Sequence, residues 1–201
     1  MTRFICIGGE AMSGKDTTAV ILKHVLEDRG YKVLITHYAD LLKFICRNYF
    51  GWNGEKDEYG RSLLQRIGTD CVRKKNPDFW VDFILEVIGF FEGEWDYVIL
   101  PDARFQNELF KIEEAGYKMF YIRVRRLDFD NTLTEEQRRH PSETSLNFVA
   151  PDITIINRTF EQLRLDVEEF CPAICNWFDN GSFESQGGDE SESSETKRGG
   201  S

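Results

Sequence analysis

What the chain lacks narrows its class before any motif is read. Nowhere in its 201 residues do apolar residues run for the ~20 positions that a membrane-spanning helix needs, so no membrane partner is expected. The opening run Met1-Thr-Arg-Phe-Ile-Cys-Ile7 meets glycine and charge too soon for the apolar core of a secretion signal. Cysteines number five, an odd count, and are scattered singly. The one close pair, Cys171 and Cys175, is spaced as packing more often than as chemistry, and no spacing reads as a zinc site. A reducing compartment follows, most simply the cytoplasm, or the host cytoplasm if the chain is viral. Positive charge is outnumbered: 25 Lys and Arg against 35 Asp and Glu give a formal net charge of −10, which disfavours stable binding to a phosphate backbone. A homodimer is left open.

What is present suffices for a sizeable core, with 41% hydrophobic residues and sixteen phenylalanines, and the length suits one domain. Its most informative feature lies near the start. The strand-like run Phe4-Ile-Cys-Ile-Gly8 empties into Gly9-Glu-Ala-Met-Ser-Gly14-Lys15-Asp16-Thr17, a G-x-x-x-x-G-K loop followed by an amphipathic run. Glycines let such a loop turn its N–H groups onto a polyphosphate, the next helix adds its positive N-terminus, and the lysine reaches the β- and γ-phosphates. Gly9, Ala11, Ser13, Gly14, Lys15, Asp16 and Thr17 are therefore expected to bind ATP. Ser or Thr usually follows the lysine and contacts Mg²⁺; here it is Asp16, which serves either as a hard oxygen ligand or as a helix N-terminal charge.

Past the loop, strands alternate with helical periods as in a parallel α/β sheet. Strands are expected at 4–8, 32–36, 95–100, 118–124 and 152–157. Helices are expected at 18–26, 41–50, 61–73, 79–91, 106–115 and 160–171. The architecture implied is a three-layer P-loop NTPase-type sandwich, five parallel strands with helices on both faces and a lid. The domain is expected to span 1–178, with residues 179–201 as a disordered acidic tail. Residues 181–201 hold five acidic and two basic residues and a single aromatic, too little apolar surface to order themselves.

Three further constellations carry chemistry. The apolar strand ending at Pro101-Asp102 offers a second Mg²⁺ ligand, although a strand-end aspartate is often only a cap. Arg104 follows where ligands bind in open α/β sheets, and its planar fork suits a phosphate. On the run from Gly60 to Trp80, Arg61, Gln65 and Arg73 lie near one helical face; an ordinary solvated face reads the same way. The polar span 125–147 holds Arg125, Arg126, Arg138, Arg139 and His140 among five carboxylates. Between two core strands such a span is a lid or a solvated hairpin, and a lid could bring Arg125 and Arg138 onto a moving phosphoryl group.

Taken together, Ser13-Gly-Lys-Asp-Thr17, Tyr38-Ala-Asp-Leu-Leu-Lys43, Arg61-x-x-Leu-Gln65-x-Ile-Gly-Thr-Asp70-x-x-Arg73 and Asn76-Pro-Asp-Phe-Trp80 resemble the phage-type deoxynucleoside monophosphate kinases. So do Asp102-x-Arg-Phe-x-Asn-Glu108, His140-x-Ser-Glu143 and Asp152-x-x-Ile-x-Asn157. The resemblance runs from about residue 4 to about 170 and departs at Leu41 and Gln106, where the family often has Pro. It implies transfer of the γ-phosphoryl group of ATP, with Mg²⁺, to a deoxynucleoside 5′-monophosphate (dNMP), and it adds Asp40 and Lys43 to the acceptor side. Arg61, Arg73 and Arg104 are then candidates for the acceptor phosphate. The acceptor oxygen, with a second pKa near ~6, needs no general base; none is visible, His24 and His37 reading as surface and packing residues. Two rivals remain: a phosphomevalonate kinase-like enzyme, which shares the Gly-Lys-Asp loop, and a nucleotide-binding regulator without turnover.

Overall fold

The computed structural model describes residues 1–127 and 135–181. At its centre is β1 (Arg3–Gly8), whose residues Phe4 to Ile7 are wholly buried. Such a run must be covered on both faces, the condition of an inner strand in a parallel sheet. The other strands are β2 (Val33–Ile35), β3 (Tyr97–Leu100), β4 (Lys118–Arg126) and β5 (Ile153–Asn157). All neighbours pair in parallel, in the order β2-β3-β1-β4-β5. The five expected strands are all present, and so is the expected sandwich.

Alternation along β1 sorts the core into two layers. Ile5 and Ile7 face a cluster with Ala19, Leu22 and Leu26 of α1 (Lys15–Glu27) and with Leu163, Val167 and Ile174 of α8 (Phe160–Asn180). Phe4 and Cys6 face the opposite layer. There Trp80, Val81, Ile84 and Ile88 of α4 (Phe79–Phe90) join Leu109 and Ile112 of α5 (Gln106–Glu114). A third cluster of Cys46, Trp52, Leu63 and Ile67 lies between α2 (Ala39–Phe50) and the helical run that follows it.

That run differs from the single helix expected at 61–73. It opens earlier, as α3 (Glu58–Gln65), because Asp57 accepts the Gly60 amide at 2.7 Å and caps it. It then widens into a π-helical stretch, Arg66–Arg73. Gly68 lies inside that stretch against α2, where a Cβ would meet Leu42 at 2.7 Å, and its carbonyl accepts the indole of Trp80 at 3.2 Å.

The closing helix also corrects an expectation. It passes Pro172, runs to Asn180 and ends on Gly181 in the left-handed conformation. An interior proline costs about 3 kcal/mol. Beyond it, however, Ile174 and Phe178 are buried along with Cys175, the two large apolar side chains worth roughly 1.5–3 kcal/mol each, so burial wins. Asp179, placed in the tail by the sequence, pairs with Arg3 at 2.6 Å; residues 182–201 lie outside the described residues.

Between β4 and β5, residues 135–148 form α6 (Glu135–Arg139), α7 (Pro141–Thr144) and a 3₁₀ turn, Ser145–Phe148. Arg125 and Arg126 belong to β4 itself, so the inserted span starts two residues later than expected; 128–134 of it lie outside the described residues. Among the described residues no helix is long and apolar enough to cross a membrane.

Candidate active site

The phosphate loop is built by crowding. Gly9 has φ 140° and Gly14 φ 105°, conformations that side chains rarely adopt. A Cβ on Gly9 would stand 2.1 Å from the Val124 carbonyl, and one on Gly14 would stand 2.5 Å from the Asn157 amide. The ends of β4 and β5 thus press the loop into shape, and Asn157 also donates to the Ser13 carbonyl at 2.8 Å. Helix α1 begins at Lys15. Its ammonium donates to the carbonyls of Gly9 and Glu10 at 2.8 and 2.7 Å. Burial, reinforced by the positive charge of Arg104, lowers the Lys15 pKa to about 8.

Beside the lysine runs a chain of charges that the sequence did not foretell. Asp16 accepts from His37 at 3.0 Å, His37 faces Asp40 at 3.3 Å, and Asp40 pairs with Lys43 at 3.0 Å. The hydrogen bond between Asp16 and His37 holds the carboxyl below its usual range and raises the imidazole above its own. His37 was expected only to pack; it instead ties the loop to the first turn of α2.

Of the two roles that its position allowed, Asp102 takes that of a cap. Its two oxygens accept the amides of Tyr38 and Ala39, each at 3.0 Å, so it caps α2; burial raises its pKa. Among the described residues no three His, Cys, Asp or Glu side chains converge as a metal cage. A Mg²⁺ that keeps its waters and takes phosphate oxygens needs only one or two carboxylates. Asp16, 81% exposed beside the loop, fits that need, with Asp102 behind it.

Of the predicted acceptor residues, only some meet. Glu108, 1% exposed, organises this side: one oxygen pairs with Arg73 and the other accepts the amides of Arg104 and Phe105 at 2.7 and 3.0 Å. Burial raises its pKa against the pull of Arg73. Arg73 is further held over the Phe105 ring at 4.1 Å. Arg61 and Gln65 are exposed on α3, and the Arg61 guanidinium donates to the Lys56 carbonyl at 2.9 Å. Arg138 is exposed on α6.

Arg104 stands at the centre. It pairs with Glu143 of α7, whose other oxygen accepts the loop amide of Ala11 at 3.3 Å. Arg104, Arg123, Arg125, Tyr121, Glu143 and the start of the loop line a cavity of about 270 Å³. A second, of about 410 Å³, lies across the loop between Lys15, Arg126 and the β5–α8 turn. Arg123, unmarked by any motif, fixes the 3₁₀ turn through the carbonyls of Leu146 and Val149 at 2.5 and 2.7 Å. Glu108 and Asn157 did stand in motifs, but without roles.

A parallel sheet in the order β2-β3-β1-β4-β5, with a lysine-bearing phosphate loop after its central strand, defines a P-loop kinase, a nucleotide-binding phosphotransferase. The chain belongs to the deoxynucleotide monophosphate kinase family, whose sequence model matches residues 35–166. No curated protein matches it. Among solved structures, the tunicamycin resistance protein of Deinococcus radiodurans is similar, at 13% identity over 84% of this chain and 95% of that one, with a TM-score of 0.51. So is cobyrinic acid a,c-diamide synthase from Mycobacterium smegmatis with bound ATP analog and magnesium, at 13% identity over 91% and 98%, with a TM-score of 0.50. At such identities the likeness is one of fold.

Proposed function

We propose that this chain transfers the γ-phosphoryl group of ATP to a deoxynucleoside 5′-monophosphate, giving ADP and the diphosphate. The observation that carries the reading is the meeting of Lys15, the loop amides and Arg104 at one end of the sheet in a chain of this family. Lys15 exchanges two loop carbonyls for the β- and γ-phosphate oxygens, and their charge restores its proton affinity. Mg²⁺, held by Asp16 with Asp102 behind, supplies charge neutralisation when bound. Arg104 takes the acceptor phosphate in a bidentate fork. Arg61, Gln65, Asp40 and Lys43 serve the rest of the acceptor, and Arg125 and Arg138 the moving group. The acceptor arrives ionised, so positioning and charge carry the rate. The kinase unit comprises 1–180, with 127–148 as its lid.

A coupled ADP-release assay with the four common dNMPs, and phosphomevalonate beside them, tests this. Turnover is expected with at least one dNMP and none with phosphomevalonate. The reverse pattern overturns the reading, and tight ATP binding with no turnover on any acceptor makes the chain a regulator.

A further inference from the structure

Glu143 sits where a phosphate belongs. One of its oxygens accepts from Nη1 of Arg104 and the other from a phosphate-loop amide, the two kinds of donor that an acceptor-side arginine and such a loop offer to a phosphoryl group. Ala11 lies early in the loop, away from the start of α1 at Lys15, and Arg104 comes from the acceptor side of β3. The seat between them is therefore where the terminal phosphate of the donor, on the Ala11 amide, meets the acceptor phosphate that Arg104 holds. We propose that the Glu143 carboxylate is an internal competitor for the donor's terminal phosphate: it fills the seat in the empty enzyme and leaves when a triphosphate enters. The proposal rests on the kinase reading above.

The surroundings suit a carboxylate that comes and goes. Its side chain is 12% exposed, so it is largely withdrawn from water, while Arg104 at 39% remains open to a ligand. Directly after it the chain is fastened. Leu146 is buried against Gly8, Arg123 holds the Leu146 and Val149 carbonyls, and Gln106 donates to the Ser145 carbonyl at 3.0 Å. Before it stands His140, which accepts the Ser142 amide at 3.2 Å and caps the one-turn helix α7. Release thus requires only α7 and the Glu143 side chain to swing about an anchored 3₁₀ turn. A carboxylate and a phosphate cannot share two donors, since like charges at contact distance repel strongly. The fraction of enzyme with the seat filled by Glu143 is unavailable to the terminal phosphate, and apparent affinity falls by that fraction. A diphosphate that stops short of the seat escapes the competition.

The test is calorimetric binding of AMP-PNP and of ADP, each with Mg²⁺, to the wild-type chain, Glu143→Gln and Glu143→Ala, with melting curves to establish that all three are folded. Both variants are expected to bind AMP-PNP about ten-fold tighter and ADP within about two-fold of wild type. AMP-PNP binding that is unchanged or weaker in both folded variants overturns the competitor while leaving the kinase reading intact. An equal gain for ADP and AMP-PNP also overturns it, because the effect would then be general electrostatics. Failure of all three proteins to bind either nucleotide overturns the kinase reading and this proposal with it.

Discussion

Arg73 and Arg104 each pair with a glutamate, and the two pairs are unlike. Arg73–Glu108 is internal to the body of the protein. Its carboxylate is fully buried, its second oxygen is spent on two backbone amides, and its arginine is stacked on Phe105. Arg104–Glu143 joins the body to the inserted span, and its arginine is open to water. A pair whose every remaining donor and acceptor is satisfied by neighbours is framework. A pair with one partner on a separate segment, in contact with a phosphate loop, is exchangeable. Glu108 thereby aims Arg104 through its backbone, while Glu143 occupies its side chain.

The largest effect expected from this contrast is on stability. Glu108→Ala leaves Arg73 without its buried partner and two amides without an acceptor, at about 3–5 kcal/mol; urea denaturation should show a loss of that size. Nearly as large, but on rate, is Lys15→Ala. It should keep the fold and lose a hundredfold or more in kcat, about 3 kcal/mol; wild-type kcat in the folded variant would refute the kinase assignment. Arg104→Lys keeps charge but loses the fork. Its kcat/KM for dNMP should fall ten- to a hundredfold, about 1.4–3 kcal/mol, through KM, with ATP KM nearly constant. Arg73→Lys should instead lower the melting temperature with little change in dNMP KM, and if the two arginines exchange these phenotypes the comparison is wrong. Arg61→Lys, already facing water, should move dNMP KM less than Arg104→Lys.

Smaller effects are set by pH. Lys15 titrates near 8 in the empty site, and a bound polyphosphate raises it. ATP affinity should therefore be flat below pH 7 and fall above about 8, as binding must then take up a proton; Lys15→Arg should flatten the profile. His37, raised by Asp16, stabilises the fold below its unfolded pKa of about 6.5, and this contribution is lost as pH rises through the folded value. For so open a pair it amounts to about 0.2–1 kcal/mol. The melting-temperature gap between wild type and His37→Asn should be wider at pH 6 than at pH 8.

The strands and the phosphate loop were legible because each rests on local pattern. Phe4 to Ile7 must be an inner strand, and Gly9 and Gly14 stand at positive φ where a side chain would be crowded, by the Val124 carbonyl and the Asn157 side chain. Helix limits were less legible wherever tertiary packing overrode a local stop: Pro172 reads as a terminator until Phe178 is seen against Tyr97 and Phe120. The division of labour among the arginines was not legible at all. Arg61, Arg73 and Arg104 are the same residue type at plausible places, and only the positions of Glu108 and Glu143, 35 and 39 residues away from Arg73 and Arg104 in sequence, set them apart. His37 escaped notice because its partner Asp16 is 21 residues distant.

The strand order has a consequence for how this chain is made. Strand β1 is made long before either of its neighbours: Arg3 registers with Tyr97 on one side and Lys118 on the other. At ~5–20 residues per second, some 94 residues of synthesis leave this wholly apolar segment without a sheet partner for roughly 5–20 s. Loop closure over such separations precedes any reward from pairing, which makes folding slow. The strand that carries the phosphate loop is thus also an apolar stretch that waits unpaired during synthesis, and a chaperone that shields Phe4 to Ile7 until β4 emerges would raise the yield of folded protein.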